Sequence, residues 1–147
     1  MSKRCIVLSA LFFASLVKAD IYFTNAGGHG KWNNPANWSN GNVPAKSDHV
    51  IIPVDKTCVL PTNVAVKAIT VVGRLMAEKD NKLNVEELTV RKSGSIYYSG
   101  DFCIRPLSQT TEQLGISNEG EIRGASNFEC SFSIAPTMIR PTVMALS

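Results

Sequence analysis

Three segments of this chain repeat one pattern, and the repeat restricts the fold more than any other feature. Ile69-Thr70-Val71 precedes Gly73-Arg74-Leu75. Leu88-Thr89-Val90 precedes Gly94-Ser95-Ile96, and Leu114-Gly115-Ile116 precedes Gly120-Glu121-Ile122. Each unit carries an apolar-x-apolar run, a glycine corner, and an apolar residue two positions past the glycine. The glycines lie 21 and 26 positions apart. A unit of this length cannot bury its own apolar face, so units must stack on one another. The fold class expected is all-β: a short, single-stranded, right-handed β-helix, or solenoid. Leu75, Ile96 and Ile122 are expected to stack inside it, and glycine to supply corner angles that other residues resist. A two-sheet β-sandwich also yields many short strands and stays open as the alternative.

The strand rhythm extends beyond the repeats. Asp20 to Thr24 alternates as a first short strand. Further strands are predicted at Val50–Ile52, Thr57–Leu60, Val64–Val66, Ala68–Val72, Arg74–Ala77, Lys82–Val85, Glu87–Val90 and Ser95–Tyr98, separated by Pro, Asn, Gly or charged corners. No segment keeps apolar residues at helical spacing for three turns. The five extra residues of the last unit are expected to loop outward within Leu107–Gln113.

Ahead of the repeats, Lys31 to Val54 combines two kinds of physics. Trp32 to Pro44 is turn chemistry: Asn33-Asn34-Pro35, Asn40-Gly41 and Val43-Pro44 are all turn or extended signals. Two tryptophans, Trp32 and Trp38, are set in it, which predicts a loop that folds back and packs as a cap. Asp48 then leads into the β-branched run Val50-Ile51-Ile52, which Pro53 limits. Trp32, Trp38, Pro44 and Asp48 are the expected structural cap residues. Trp38 is the firmer core anchor, and the pair also offers a sugar-stacking platform. The pattern W-N-N-P-A-N-W-S-N-G-N-V-P, then Asp48 and V-I-I-P, resembles the opening of amnionless-type extracellular regions. It is also similar to the start of bacterial surface proteins built as single-stranded β-helices. The likeness covers Ile21 to about Ser99. Amnionless-like proteins carry a cysteine-rich region and a membrane span after this domain, and neither occurs in this sequence.

The first residues read as a secretory leader. Ser2-Lys3-Arg4 is basic, Cys5 to Val17 is apolar apart from two serines, and Val17-Lys18-Ala19 suits a signal peptidase. An apolar run of about 13 residues is too short to span a bilayer. The expected organisation is a leader at 1–19, a first strand and cap loop at 20–49, stacked coils at 50–127 and an irregular tail at 128–147. Removing Lys3, Arg4 and Lys18 from the 15 basic residues leaves 12, against 12 acidic ones. The net charge therefore belongs to the leader, and no basic face for nucleic acid is indicated.

Secretion also frames the cysteines. Cleavage leaves Cys58, Cys103 and Cys130, an odd number in an oxidising compartment. Cys103 and Cys130 lie 27 apart, close to the last repeat spacing. Adjacent coils bring such residues within about 5 Å, inside disulfide reach. A Cys103–Cys130 bridge with Cys58 unpaired is expected. Asn37-Trp38-Ser39 is the one glycosylation sequon, and Asn37 can equally bond its own backbone to shape the turn.

Chemistry-bearing constellations are sparse. His29 and His49 have no nearby ligand partners, so no metal site is expected. The glycine-rich Asn25–Gly30 matches no phosphate-binding pattern and precedes no helix. Polysaccharide cleavage needs carboxylates converging on one groove. Glu86 and Glu87 face opposite ways in a strand, and Glu119 and Glu121 straddle a corner. The sequence therefore points to a secreted, non-enzymatic protein without a cofactor. Its expected role is structural or protein-recognising, in matrix, coat or surface. A protein partner or a second copy is expected at the open end of the solenoid. The alternatives are a carbohydrate-binding or polysaccharide-cleaving β-helix and a piece of a larger amnionless-like receptor component.

Overall fold

In the computed structural model of the protein, the described residues are 18–107 and 114–124. They form twelve short strands and one 3-10 turn, Pro35–Asn37. The strands are β1 Ile21–Tyr22, β2 His49–Ile52, β3 Thr57–Val59, β4 Asn63–Ala65, β5 Ala68–Val71 and β6 Arg74–Ala77. They continue with β7 Lys82–Val85, β8 Glu87–Val90, β9 Ser95–Tyr98, β10 Cys103–Pro106, β11 Gly115–Asn118 and β12 Glu121–Gly124. The strands expected from β2 to β9 are present, β6 to β9 with the expected bounds and β2 to β5 with ends shifted by one residue. The first is trimmed to Ile21–Tyr22, and β10 was not anticipated.

Three sheets are formed, with strand orders β1-β2-β5-β8-β11, β3-β6-β9-β12 and β4-β7-β10. The chain visits each sheet in turn and comes back beside its previous visit, so every strand pairing in the sheets is parallel. Alternation does the rest: in each strand one set of side chains points inward and the other outward. The inward set is apolar and buried, as in Val50, Ile69 and Leu88 of the first sheet and Val64, Leu83 and Ile104 of the third.

The expected repeats pair directly. Leu75 lies beside Ile96, and Ile96 beside Ile122. The third unit is in a different register from the one expected. Ile116, not Leu114, pairs with Leu88, and Asn118 stands beside Val90. The apolar-x-apolar match at Leu114 was two residues early.

The glycines of the repeat also serve a different purpose from the one expected. Gly73, Gly94 and Gly120 are not among the residues with positive φ. They are needed for space. A Cβ on Gly73 would overlap the Pro53 carbonyl oxygen, one on Gly94 the Val71 carbonyl oxygen, and one on Gly120 the carbonyl oxygens of Arg91 and Gly94. At this corner each pass of the chain lies on the backbone of the pass before. The contact is hydrogen-bonded throughout: Arg74 N donates to Lys56 O (2.8 Å), Ser95 N to Gly73 O (2.9 Å) and Glu121 N to Gly94 O (3.1 Å). The column begins with Lys56 rather than glycine, so the first pass is invisible to a glycine search. One further fit is by size. Ala77, Tyr98 and Gly124 are neighbours in register, and a Cβ on Gly124 would overlap the Tyr98 ring. Tyr98 in turn stacks on buried Phe102 at 5.8 Å.

Candidate functional site

The cap is built from three aromatic rings. Phe23, Trp32 and Trp38 are 0%, 2% and 3% exposed. Trp38 meets Trp32 edge to face at 4.7 Å and Phe23 at 5.1 Å. Edge-on contact of this kind sets a positive ring edge against a negative face. The Trp38 indole nitrogen donates to the Trp32 carbonyl at 2.7 Å, which satisfies the one polar group the ring buries. The sugar-stacking platform expected of Trp32 and Trp38 is therefore not available, because both rings face inward.

Around these rings the loop ties itself to the exposed edges of the first strands. Thr24 N donates to Asn37 O and Ser39 N to Tyr22 O, so the loop covers β1. Trp32 N donates to Val59 O and Val59 N to Gly30 O, so it also covers β3. Backbone groups that would otherwise template another chain are thus paired.

Asn37 sits at the centre of this loop and is fully buried. Its Oδ1 accepts from Gly27 N at 2.8 Å, and its Nδ2 donates to Gly28 O at 3.1 Å and Lys31 O at 2.9 Å. Of the two roles the sequon allows, this geometry serves the turn. A glycan on Nδ2 would need the side chain expelled from the cap. Asn34 caps the 3-10 turn by accepting from Ala36 N. Asn25 and His29 adopt left-handed backbone angles. Asn25 uses its side chain to accept from Gly30 N. Pro44 is half-buried on the return path. Asp48 is buried, and its Oδ2 accepts from Ala45 N at 2.7 Å.

The cysteines lie on different faces. Cys58 points inward, is fully buried and is unpaired, and burial pushes its thiol pKa up. A thiol in that state is a poor nucleophile. Cys103 is also free, without the expected bridge; it is outward and half-buried, in a different sheet from Cys58, and Arg105 Nε donates to its sulfur at 3.3 Å. A Cys58–Cys103 bridge does not fit this arrangement. Cys130 lies outside the described residues, as does most of the expected outward loop at Leu107–Gln113 and the tail at 128–147.

The acidic residues are spread out. Glu87 is exposed at the outer end of β8, and Glu86 precedes it half-buried. Glu121 is engaged by Arg123, and its other oxygen lies 3.4 Å from the Tyr97 hydroxyl. Among the described residues no three His, Cys, Asp or Glu side chains gather as metal ligands. His49 contacts Asp20 through Nδ1 at 2.8 Å and Thr70 through Nε2 at 3.0 Å. A shallow polar groove of about 350 Å³ runs along the corners beside Gly73. Lys56, Arg74, Thr57 and Ser95 line it, and Arg74 lies over the Tyr97 ring at 5.1 Å. This groove had no signal in the sequence, because its residues come from three successive passes of the chain.

An all-β domain of parallel sheets, closed at one end by a tryptophan loop, is the class of protein these features define. The chain belongs to the G8 domain family, which matches residues 37–123. The match begins inside the cap, at Asn37, and runs to Arg123 in β12. G8 domains occur in extracellular proteins. Neither the curated proteins nor the solved structures contain a match to this chain, and no comparison bears on the resemblance to amnionless-type proteins. No helix among the described residues is long and apolar enough to cross a membrane.

Proposed function

We propose that this protein is a secreted, non-enzymatic module with a structural or protein-recognition role outside the cell, built as a short, right-handed, single-stranded β-helix. The observation that carries this reading is the sheet order. Each sheet gains one parallel strand per pass of the chain, as a solenoid requires. A sandwich instead packs antiparallel sheets face to face. Membership of a family found in extracellular proteins supports the setting, and the basic-apolar start supports secretion. The partner surface in this reading is the end formed by β11 and β12. There the inward-facing Ile116 and Ile122 are only half-buried, and the outer strand edge can pair with another chain.

Sedimentation of the secreted chain across a concentration series tests the partner surface. Association that is abolished by lysine or proline substitutions on β12 is expected. A monomer at all concentrations, with no protein captured from the secreting tissue, would remove recognition through that end. A glycan-binding reading has one observation in its favour, the polar groove beside Gly73 with its two cations and hydroxyls. Binding of a glycan that is lost in Arg74→Ala would support it.

A further inference from the structure

Asp48 is a buried carboxylate whose counter-charge comes from a residue that secretion would remove. It is 4% exposed. One oxygen accepts from Ala45 N. The other, Oδ1, has no hydrogen bond, and its one partner among the described residues is the Lys18 ammonium, held as an ion pair. Lys18 also donates to Ser47 Oγ at 2.8 Å. A buried carboxylate without a counter-charge is strongly unfavourable. Cleavage after Ala19 would take Lys18 away and remove this counter-charge from Asp48.

The same cleavage makes a new cation. Hydrolysis of the Ala19–Asp20 bond consumes one water, leaves a carboxylate on Ala19, and leaves an α-ammonium on Asp20. Ile21 pairs in parallel with Val50, so one step back along both chains sets Asp20 beside His49, which its carboxylate contacts. A further step brings Asp48 level with the scissile bond. Neighbouring strands lie about 4.8 Å apart. Once residue 19 is gone, rotation about the Asp20 backbone can swing the ammonium toward Oδ1.

We propose that the mature amino terminus at Asp20 replaces Lys18 as the partner of Asp48, so that leader removal locks β1 onto β2 and completes the cap. This proposal rests on the secretion reading. The side chains joined to the site by ion pairs or polar contacts are Lys18 in the precursor, and Asp20 with His49 in both forms.

Mass measurement of the secreted chain comes first, and a start at any residue other than Asp20 would overturn the proposal while leaving export itself established. Three forms of the mature chain are then compared: a free Asp20 amine, an Nα-acetylated Asp20, and one extra glycine before Asp20. The free amine is expected to raise the thermal midpoint by about 4 °C or more over the acetylated form. That difference is expected to vanish in Asp48→Asn. Where Asp48→Asn does not fold, labelling of the α-amine by an amine-reactive ester provides the second readout. The native amine is expected to react at least about tenfold more slowly than the glycine-extended amine, as a ~1.4 kcal/mol preference for the paired state implies. Equal midpoints with and without acetylation, or equal labelling rates, would overturn the proposal.

Discussion

At the β1 end of the molecule Phe23, Trp32 and Trp38 are sealed inside and the strand edges are hydrogen-bonded by the cap loop. At the β11–β12 end, Ile116 and Ile122 occupy the same inward columns as Leu88 and Ile96, yet they are only half-buried. The lattice of parallel strands is the same in both places. What differs is the finish, and the difference teaches that in such a lattice core quality depends on position along the stack more than on residue type. Ile96, with a row on either side, is fully buried, whereas Ile122, with a row on one side, is half-buried; Ile21 under the cap and Ile104 at the end of the third sheet are buried with a row on one side only.

The largest expected effect lies at the capped end. Trp38→Ala should lower stability by about 3–5 kcal/mol, through the cavity and the lost edge contacts, measured by urea unfolding. A loss below about 1 kcal/mol would mean that the cap is not a packed unit. The contrast itself is tested within one column. Leu75→Ala should cost about 2–5 kcal/mol, whereas Ile122→Ala should cost only about 1 kcal/mol. Equal losses would show that Ile122 is as enclosed as Leu75 in solution. Next comes the corner. Gly94→Ala forces a methyl against the Val71 carbonyl and should cost about 1–3 kcal/mol. Gly115→Ala meets its nearest atom, in the Glu87 side chain, at an ordinary 3.6 Å, so a change within about 0.5 kcal/mol is expected there. The smallest perturbation is chemical. In the native protein Cys58 should resist a thiol reagent until denaturant is added, because it is inward and fully buried. Oxidation on secretion should join Cys103, free in the structure, to Cys130, and non-reducing peptide mapping should recover the linked pair. A Cys58–Cys103 peptide would contradict the sheet assignment of both residues.

Much of the fold was legible because strand alternation and the glycine corners act locally. Lys82–Val85 and Ser95–Tyr98 have the same bounds in sequence and structure, since each is an alternating run cut short by a turn. β10 was missed because Cys103-Ile104-Arg105-Pro106 has one inward apolar residue and ends in proline. Its strand character comes from pairing with Lys82–Val85. The third repeat was misaligned because Leu114 and Ile116 alternate as convincingly as Leu88 and Val90 do, and a slip of two residues keeps the same face inward, so nothing local fixes the register. In the cap, Trp38 was legible as an anchor. The burial of Trp32 was less so, because its ring packs on Trp38 and its backbone is tied to Val59, which lies far from it in sequence. Asp48 was legible only as a cap residue. Its pairing with Lys18 joins two segments that the sequence reading had placed on opposite sides of a cleavage site.

The glycine column has a consequence for how such a molecule can change length. Each seat is defined chiefly by the pass immediately before it: Gly73 by Pro53 and Lys56, Gly94 by Val71, Gly120 by Arg91 and Gly94. Nothing in a seat refers to the total number of passes. Insertions that add a whole pass, with its own corner glycine, leave every existing seat intact, and the unequal glycine spacings of 21 and 26 show that a connection between strands can lengthen without moving the seats. Growth along this axis therefore comes in indivisible steps, as in a one-dimensional crystal, and the ends are where such a protein can acquire new surfaces without disturbing old ones.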